Sequence, residues 1–234
     1  MAWYSTGKDA ENRFAADEAR KEESKKRREE GYIKRWWIPV TRSDDLGQEL
    51  VFVDACWESE EYVAPFTYME HNLKLNGTWR NWFTCLEGEK DSNGRPVICP
   101  ICSSGDRPSL VAAYTIINRN SYAKKDGSTG NANKDELNLF VCKSKVQKDL
   151  RRKTVSHKGL RGCAFHAIRG TSESANTGDL FEFKEKTELS IDIKPYAYLK
   201  ILAPKSVEEL QKIISGESQT VKADDDLVDF GIRY

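Results

Sequence analysis

The sequence predicts a mainly β fold, a barrel or sandwich with few short helices. Three observations predict it: a succession of short segments rich in aromatic and β-branched residues, turn formers such as Asn76-Gly77 between them, and only two stretches with helical patterning after Tyr32. The strand candidates are Arg35–Val40, Glu49–Ala55, Pro65–Leu75, Thr78–Leu86, Leu110–Asn118, Leu137–Cys142, Arg161–Arg169, Asp179–Lys184 and Tyr196–Leu202. Helices are expected over Lys145–Lys153 and Ser206–Ser215. In the second, Ser206 can cap the N-terminus, Glu209 follows three residues on, and Gly216 stands just past the end.

The flanks differ from this core. Residues 8–30 are dominated by Lys, Arg, Glu, Asp and Ala, with opposite charges at helical spacing such as Glu22–Lys26 and Glu23–Arg27. Their apolar stripe is thin, so residues 1–31 read as a charged helix or arm. Lys124 to Asn133 reads as a flexible hairpin loop, and residues 217–234 as an acidic tail. The single-domain core then spans 32–216.

Charge is segregated along the chain. The 37 basic and 37 acidic residues cancel, yet Lys143 to Arg169 holds nine Lys/Arg and one acid, Asp149, while Glu217 to Tyr234 holds five acids and two bases. A basic belt with an acidic tail points to a polyanionic partner. No apolar run approaches the ~18 residues that span a bilayer, and the polar start MAWYSTGKDAENRF does not read as a signal peptide. The six cysteines are therefore expected in a reducing cytoplasm, where grouped thiols mean metal more often than disulfides.

The grouping is specific. Cys99 and Cys102 are separated by Pro-Ile, thirteen residues lie between Cys85 and Cys99, and His71 stands fourteen positions before Cys85. Two cysteines at this spacing can clasp one zinc, and a third thiolate with one imidazole completes a closed, structural Cys3His site. Cys56 or a remote His are alternatives to His71 as fourth ligand. A thioredoxin-like redox pair expects a βαβ context that is absent here. Cys142 and Cys163 are spaced too widely for a second cluster and read as small buried hydrophobes.

Aromatic residues interleave with bases. Trp36 and Trp37 follow Lys34 and Arg35; Trp79, Arg80 and Trp82 follow a turn; Tyr114, Tyr122, Tyr196 and Tyr198 lie near further bases such as Arg119. Unpaired bases stack on flat rings while Lys and Arg track phosphates, so this composition suits single-stranded DNA. Strand alternation puts Trp79 and Phe83 on one face and Arg80 and Trp82 on the other. Lys145, Lys148, Arg151, Arg152 and Lys153, followed by Lys158 and Arg161, form a candidate phosphate-tracking element.

These residues carry a resemblance. The His71–Cys85–Cys99–Cys102 order, the run of Tyr68, His71, Leu75-Asn76-Gly77, Trp79, Asn81-Trp82 and Thr84-Cys85, and Arg107-Pro108-Ser109 after the cysteine pair resemble the T4-type phage single-stranded DNA-binding (helix-destabilising) proteins. The loop between Cys85 and Cys99 is longer than in that family. The resemblance implies an OB-fold-like core with a zinc-bearing subdomain at about 66–110 and one structural zinc. It also implies self-association along DNA, and an acidic tail (Asp224, Asp225, Asp226, Asp229, Phe230) that recruits replication and recombination proteins in the cytoplasm of an infected bacterium. No membrane partner is implied. A zinc-stabilised duplex-DNA regulator and a strand-annealing mediator are the rival readings. An enzyme is the least favoured, because the chain has three histidines and no P-loop or Ser/His/Asp pattern.

Overall fold

The computed structural model describes residues 15, 33, 35–41, 47–54, 65–75, 78–119, 121–123, 129–131 and 136–216, with the backbone alone at 78–81, 121–123 and 129–131. The chain divides into a unit of residues 1–34 and one of residues 35–234, and every element below belongs to the second. The expected arm and tail, the Asn76-Gly77 turn, and Lys34 and Cys56 lie outside the described residues, Ala15 and Ile33 of the N-terminal region excepted.

Strand β4 (Ser109–Asn118) organises the sheet. Every residue from Val111 to Ile117 is buried, as a run of branched, small and aromatic side chains allows in a strand covered on both faces. One edge of β4 is shared. Its first half pairs with β2 (Phe66–Leu75) and its second half with β1 (Gln48–Phe52), while β7 (Leu137–Lys143) takes the other edge. β3 (Thr78–Thr84) follows on β2; β8 (Cys163–Ile168) and β9 (Leu180–Lys186) follow on β1. β5 (Ser121–Ala123) and β6 (Thr129–Asn131) form a separate hairpin in the region expected to be a loop.

The result is an antiparallel seven-stranded sheet ordered β3-β2-β4-β1-β8-β9, with β7 beside β4. It is not closed into a barrel, which corrects that part of the expected architecture. Among the described residues the end strands β3 and β9 share no ladder, and the outer edge of β7 carries the extended segment at Arg35, where the Trp36 N–H donates to the Leu139 carbonyl at 2.8 Å.

Strand register sorts the side chains into two layers. Leu50, Phe52, Ala112, Tyr114, Ile116, Phe140 and Phe165 share one core with Trp36 and Ile38. Phe52 is its hub, meeting the rings of Tyr114 at 5.4 Å and Phe165 at 5.7 Å edge-on. Helix α2 (Ser144–Ser156; a single turn, α1, Pro100–Ser103, precedes it) covers this layer with Val146, Leu150 and Thr154, spaced by one helical turn. Lys186 donates to the His157 carbonyl at 2.7 Å, just past the C-terminus of α2, where a cation is favoured. The opposite face holds Val51, Val53, Ile117 and Ala164. There a short helix, α3 (Tyr198–Ile201), is tied down by hydrogen bonds from the Tyr198 hydroxyl to the Asp54 carboxylate and with Thr115 Oγ1. Helix α4 (Val207–Ser215) carries the expected capping box at Ser206 and Glu209, and Gly216 ends it with φ 77°. No helix among the described residues is long and apolar enough to cross a membrane.

Two strand expectations fail. Over Arg35–Val40, Pro39 has no N–H to donate, and the Ile38 amide goes to the Asn176 carbonyl rather than to a ladder. Over Tyr196–Leu202 the alternation of aromatics is real, but the Tyr196 amide donates to Thr115 Oγ1 at 2.9 Å and the chain turns into α3. At Gly162 (φ 79°) only glycine fits, since a Cβ would lie 2.0 Å from the Thr187 carbonyl oxygen.

Burial pushes the Asp54 carboxyl up to about 7, against the lowering pull of the Tyr198 hydroxyl, the Thr115 amide and Arg161. An unfolded Asp titrates near ~3.9. The folded state therefore binds more protons between about pH 4 and 7, and stability falls as pH rises through that window. Asp54→Asn keeps an acceptor for Tyr198 and removes the titration. Its melting temperature relative to wild type is expected to rise between pH 5 and pH 8, checked by thermal denaturation at both values; a constant difference would contradict the assignment.

Candidate metal centre

The β2–β3 hairpin presents different chemistry on its two sides. Met69, His71, Leu73 and Leu75 point to one side, and Tyr68, Glu70 and Asn72 to the other, by strand alternation. On the first side His71 meets Cys85, which follows β3 directly, Cys99, which caps the single turn of α1, and Cys102 within that turn. Pro100 starts that turn, its fixed φ suited to a first helical position. The preceding loop folds back on itself. Asp91 Oδ1 accepts from the Asn93 and Arg95 amides at 2.9 and 2.8 Å, and the Val97 amide donates to the Glu89 carbonyl.

The donor atoms of His71, Cys85, Cys99 and Cys102 all lie within 4.8 Å of one another. His71 Nε2 is 3.6 Å from Cys99 Sγ and 3.5 Å from Cys102 Sγ, and Cys85 Sγ is 3.6 Å from Cys102 Sγ. Around a tetrahedral zinc with ordinary bond lengths, N···S edges of roughly 3.6 Å and S···S edges of roughly 3.8 Å are required. The four residues fit. This buried group can hold a metal ion such as zinc, with His71 in the fourth position; Cys56 lies outside the described residues.

An unpredicted residue completes it. Asp106 Oδ2 lies 2.6 Å from His71 Nδ1. A carboxylate there holds the proton on Nδ1 and leaves the Nε2 lone pair facing the sulfurs, the arrangement by which outer carboxylates orient metal-binding imidazoles. Its signal in the sequence was only an acid four residues past Cys102.

Ionisation sets the demand for a cation. Burial raises the Cys85 thiol. Burial, with Cys85 and Cys99 as neighbours, pushes Cys102 up to about 12. Burial pushes on the Cys99 thiol too, but the amides of Leu86, Cys102 and Ile101 with His71 outweigh it and draw it down to about 7. Three thiolates in this space need a positive ion among them. An apolar shell of Leu86, Ile101, Leu210 and Ile213 surrounds the cluster, with α4 contributing the last two. Cys142 and Cys163 are buried free thiols remote from the group.

The expected DNA contacts divide sharply. Trp36 and Tyr114 are core residues, 9% and 1% exposed, and offer no ring face to a base. Arg161 donates to the Ser190 and Ile193 carbonyls at 2.9 Å each, and Arg119 is paired with Glu49 and Glu185, so both charges serve the scaffold. Tyr196 donates to the Leu137 carbonyl at 2.6 Å. Lys153 lies 5.6 Å from the centre of the Phe165 ring. Lys145 pairs with Asp179 at 3.5 Å, and Lys148, Arg151, Arg152 and Lys158 are exposed on and after α2. Of Trp79, Arg80 and Tyr122 only the backbone is described; Lys34 and Asp224 to Phe230 lie outside the described residues.

A line of half-buried rings runs along the sheet face away from the metal. Tyr198 stacks on Phe66 at 5.2 Å, and Phe66 lies 6.1 Å from Tyr68. The Tyr68 hydroxyl donates to Glu70 at 2.7 Å. Arg35 makes two bonds to Glu70, at 2.7 and 3.1 Å, and lies over the rings of Trp37 (4.8 Å) and Trp82 (4.4 Å). Those two indoles are 5.1 Å apart. Because Tyr68 is registered with Val111 and α2 packs over Ala112 and Tyr114, the line lies on the face opposite α2. Phe66 and Glu70 were not singled out by the sequence, and Tyr68 entered only as part of the run that carries the resemblance. Their alternation with core residues on β2 was the available sign.

No protein-family model matches the chain, and no curated protein or solved structure matches it.

Two outcomes are expected. Cys99→Ser should lose bound metal and melt like chelator-treated protein, whereas Cys163→Ser should keep its metal, as elemental analysis and thermal denaturation will report. Asp106→Ala should weaken zinc affinity by about 10–100-fold in competition with a chromogenic chelator while the metal-saturated protein stays folded.

Proposed function

We propose that this protein binds single-stranded DNA without sequence preference and protects unwound strands during phage DNA replication, recombination and repair. In this reading it is a binding protein, not an enzyme. One structural zinc, in a closed Cys3His tetrad with no open position, holds the hairpin that carries the stacking surface. The open sheet takes the place of the OB-fold-like core that the family resemblance implies.

The observation that carries the reading is the line of rings Tyr198, Phe66, Tyr68, Trp82 and Trp37 on one sheet face. At ~3.3 Å per residue, the β2 segment from Phe66 to Asn72, the cross-strand partner of Trp82, is about 20 Å long. That length accommodates several splayed bases. Every base has a π-face, so stacking at roughly 1–3 kcal/mol per base tolerates sequence, whereas a duplex keeps those faces inside. The exposed bases Lys148, Arg151 and Arg152 of α2 lie on the other side of the sheet and supply general attraction for phosphate. The acidic segment Asp224 to Phe230 takes the role of recruiting replication and recombination proteins.

Titration with oligo(dT) should quench Trp emission, and excess heat-denatured DNA should displace a labelled oligonucleotide while duplex does not. Equal displacement by duplex at matched salt would sink this reading in favour of a duplex-binding regulator.

A further inference from the structure

We infer that Glu70 is the positioning residue of the base-stacking surface: it acts through Arg35 to set the two indoles of Trp37 and Trp82. The inference rests on the single-stranded DNA reading above and assigns roles that reading leaves open.

Arg35 would ordinarily be counted among the phosphate contacts, since it precedes two tryptophans. Its surroundings assign it differently. The Arg35 side chain is 13% exposed and that of Glu70 is 5% exposed. Both terminal guanidinium nitrogens are engaged by the two carboxylate oxygens, a planar fork that fixes orientation as well as position. A third bond, from the Tyr68 hydroxyl, reaches the same Oε2 that Arg35 Nη1 engages. The plane so fixed lies 4.8 and 4.4 Å from the two indole centres, within the range in which a guanidinium is attracted to an aromatic face. Trp37 comes from the segment ahead of β1 and Trp82 from β3, so nothing in the local chain sets one ring against the other. Arg35 does so, and Glu70 sets Arg35.

A consequence separates positioning from phosphate binding. The Arg35 charge is neutralised inside the protein, so it releases no counterion from DNA and contributes nothing to the salt dependence of binding.

The test uses full-length, metal-loaded protein and oligo(dT), with Trp quenching and affinity measured from low to moderate salt. Two variants are compared with wild type: R35M/E70M, which replaces the buried pair by apolar groups of similar size, and R35K, which keeps the charge but lacks the planar fork. Both are expected to bind about tenfold more weakly with reduced quenching, and the slope of log affinity against log salt is expected to stay at the wild-type value. R35K covers the case in which the double variant does not fold. A slope shallower by about 0.7 in R35M/E70M, the share of one neutralised phosphate, would show that Arg35 faces DNA and would overturn the inference. So would wild-type affinity and quenching in either folded variant. Wild-type protein that neither quenches with nor retains oligo(dT) would instead refute the underlying reading, and this inference with it.

Discussion

Three thiols and an imidazole share one small volume beneath α4, and that crowding is the constraint on which the rest of this molecule turns. Burial alone would keep Cys85 and Cys102 protonated, and mutual repulsion adds to it. A divalent cation reverses both effects at once, because it replaces three unfavourable anions by three short bonds. The loop between Cys85 and Cys99 has little else to hold it. Glu87 to Arg95 is exposed throughout, so the ordering entropy of these residues has almost no apolar burial to oppose it. A metal ion held at its two ends would be the compensating interaction.

The same interaction reaches the far face of the sheet through one strand. His71 and Glu70 are neighbours in β2, and alternation sends them to opposite sides. His71 Nε2 faces the sulfurs, with Nδ1 held by Asp106; Glu70 holds Arg35. A metal bound on one side would fix β2 and with it the Glu70 carboxylate that holds Arg35 on the other. Cross-strand pairs make this tighter, since Phe83 lies opposite His71 and Trp82 opposite Asn72. Neither a helix, with its longer repeat, nor a loop would bring a metal ligand and a surface anchor so close along the chain.

Much of this was legible in the sequence, and the failures have physical causes. Seven of the predicted strands formed within a few residues of their expected bounds, and Ser206, Glu209 and Gly216 capped α4 as local chemistry requires. The four metal-site residues were identifiable because ligand spacing is a local constraint. Asp106 was not, because an isolated acid carries no pattern until the fold places it 2.6 Å from an imidazole. Barrel closure was not legible either, since it depends on whether the two end strands, here β3 and β9, come together. The aromatic residues were the hardest to assign. Trp36 and Trp37 are adjacent, yet one belongs to the core and the other to a half-buried pair, and only the surrounding side chains decide which.

Charge shows the same limit more sharply. Counted along the chain, Lys143 to Arg169 is a basic belt. In the fold, Arg161 and Arg169 spend their guanidinium groups on backbone carbonyls, and Lys145 is paired with Asp179. What remains exposed is the outer side of α2, set by the helical spacing that buries Val146 and Leu150. The line of rings on the opposite face carries an internally neutralised Arg–Glu pair instead. In the single-stranded DNA reading proposed above, stacking and phosphate attraction would fall on different sides of the sheet and would scale differently with salt: the first is insensitive to it, the second weakens as salt rises, in proportion to the phosphates neutralised. In that reading a strand held by rings alone would lie across the face opposite α2. Engaging α2 as well would require it to pass around an edge of the sheet, which makes bound length, not local composition, the variable that decides how much of the basic helix takes part.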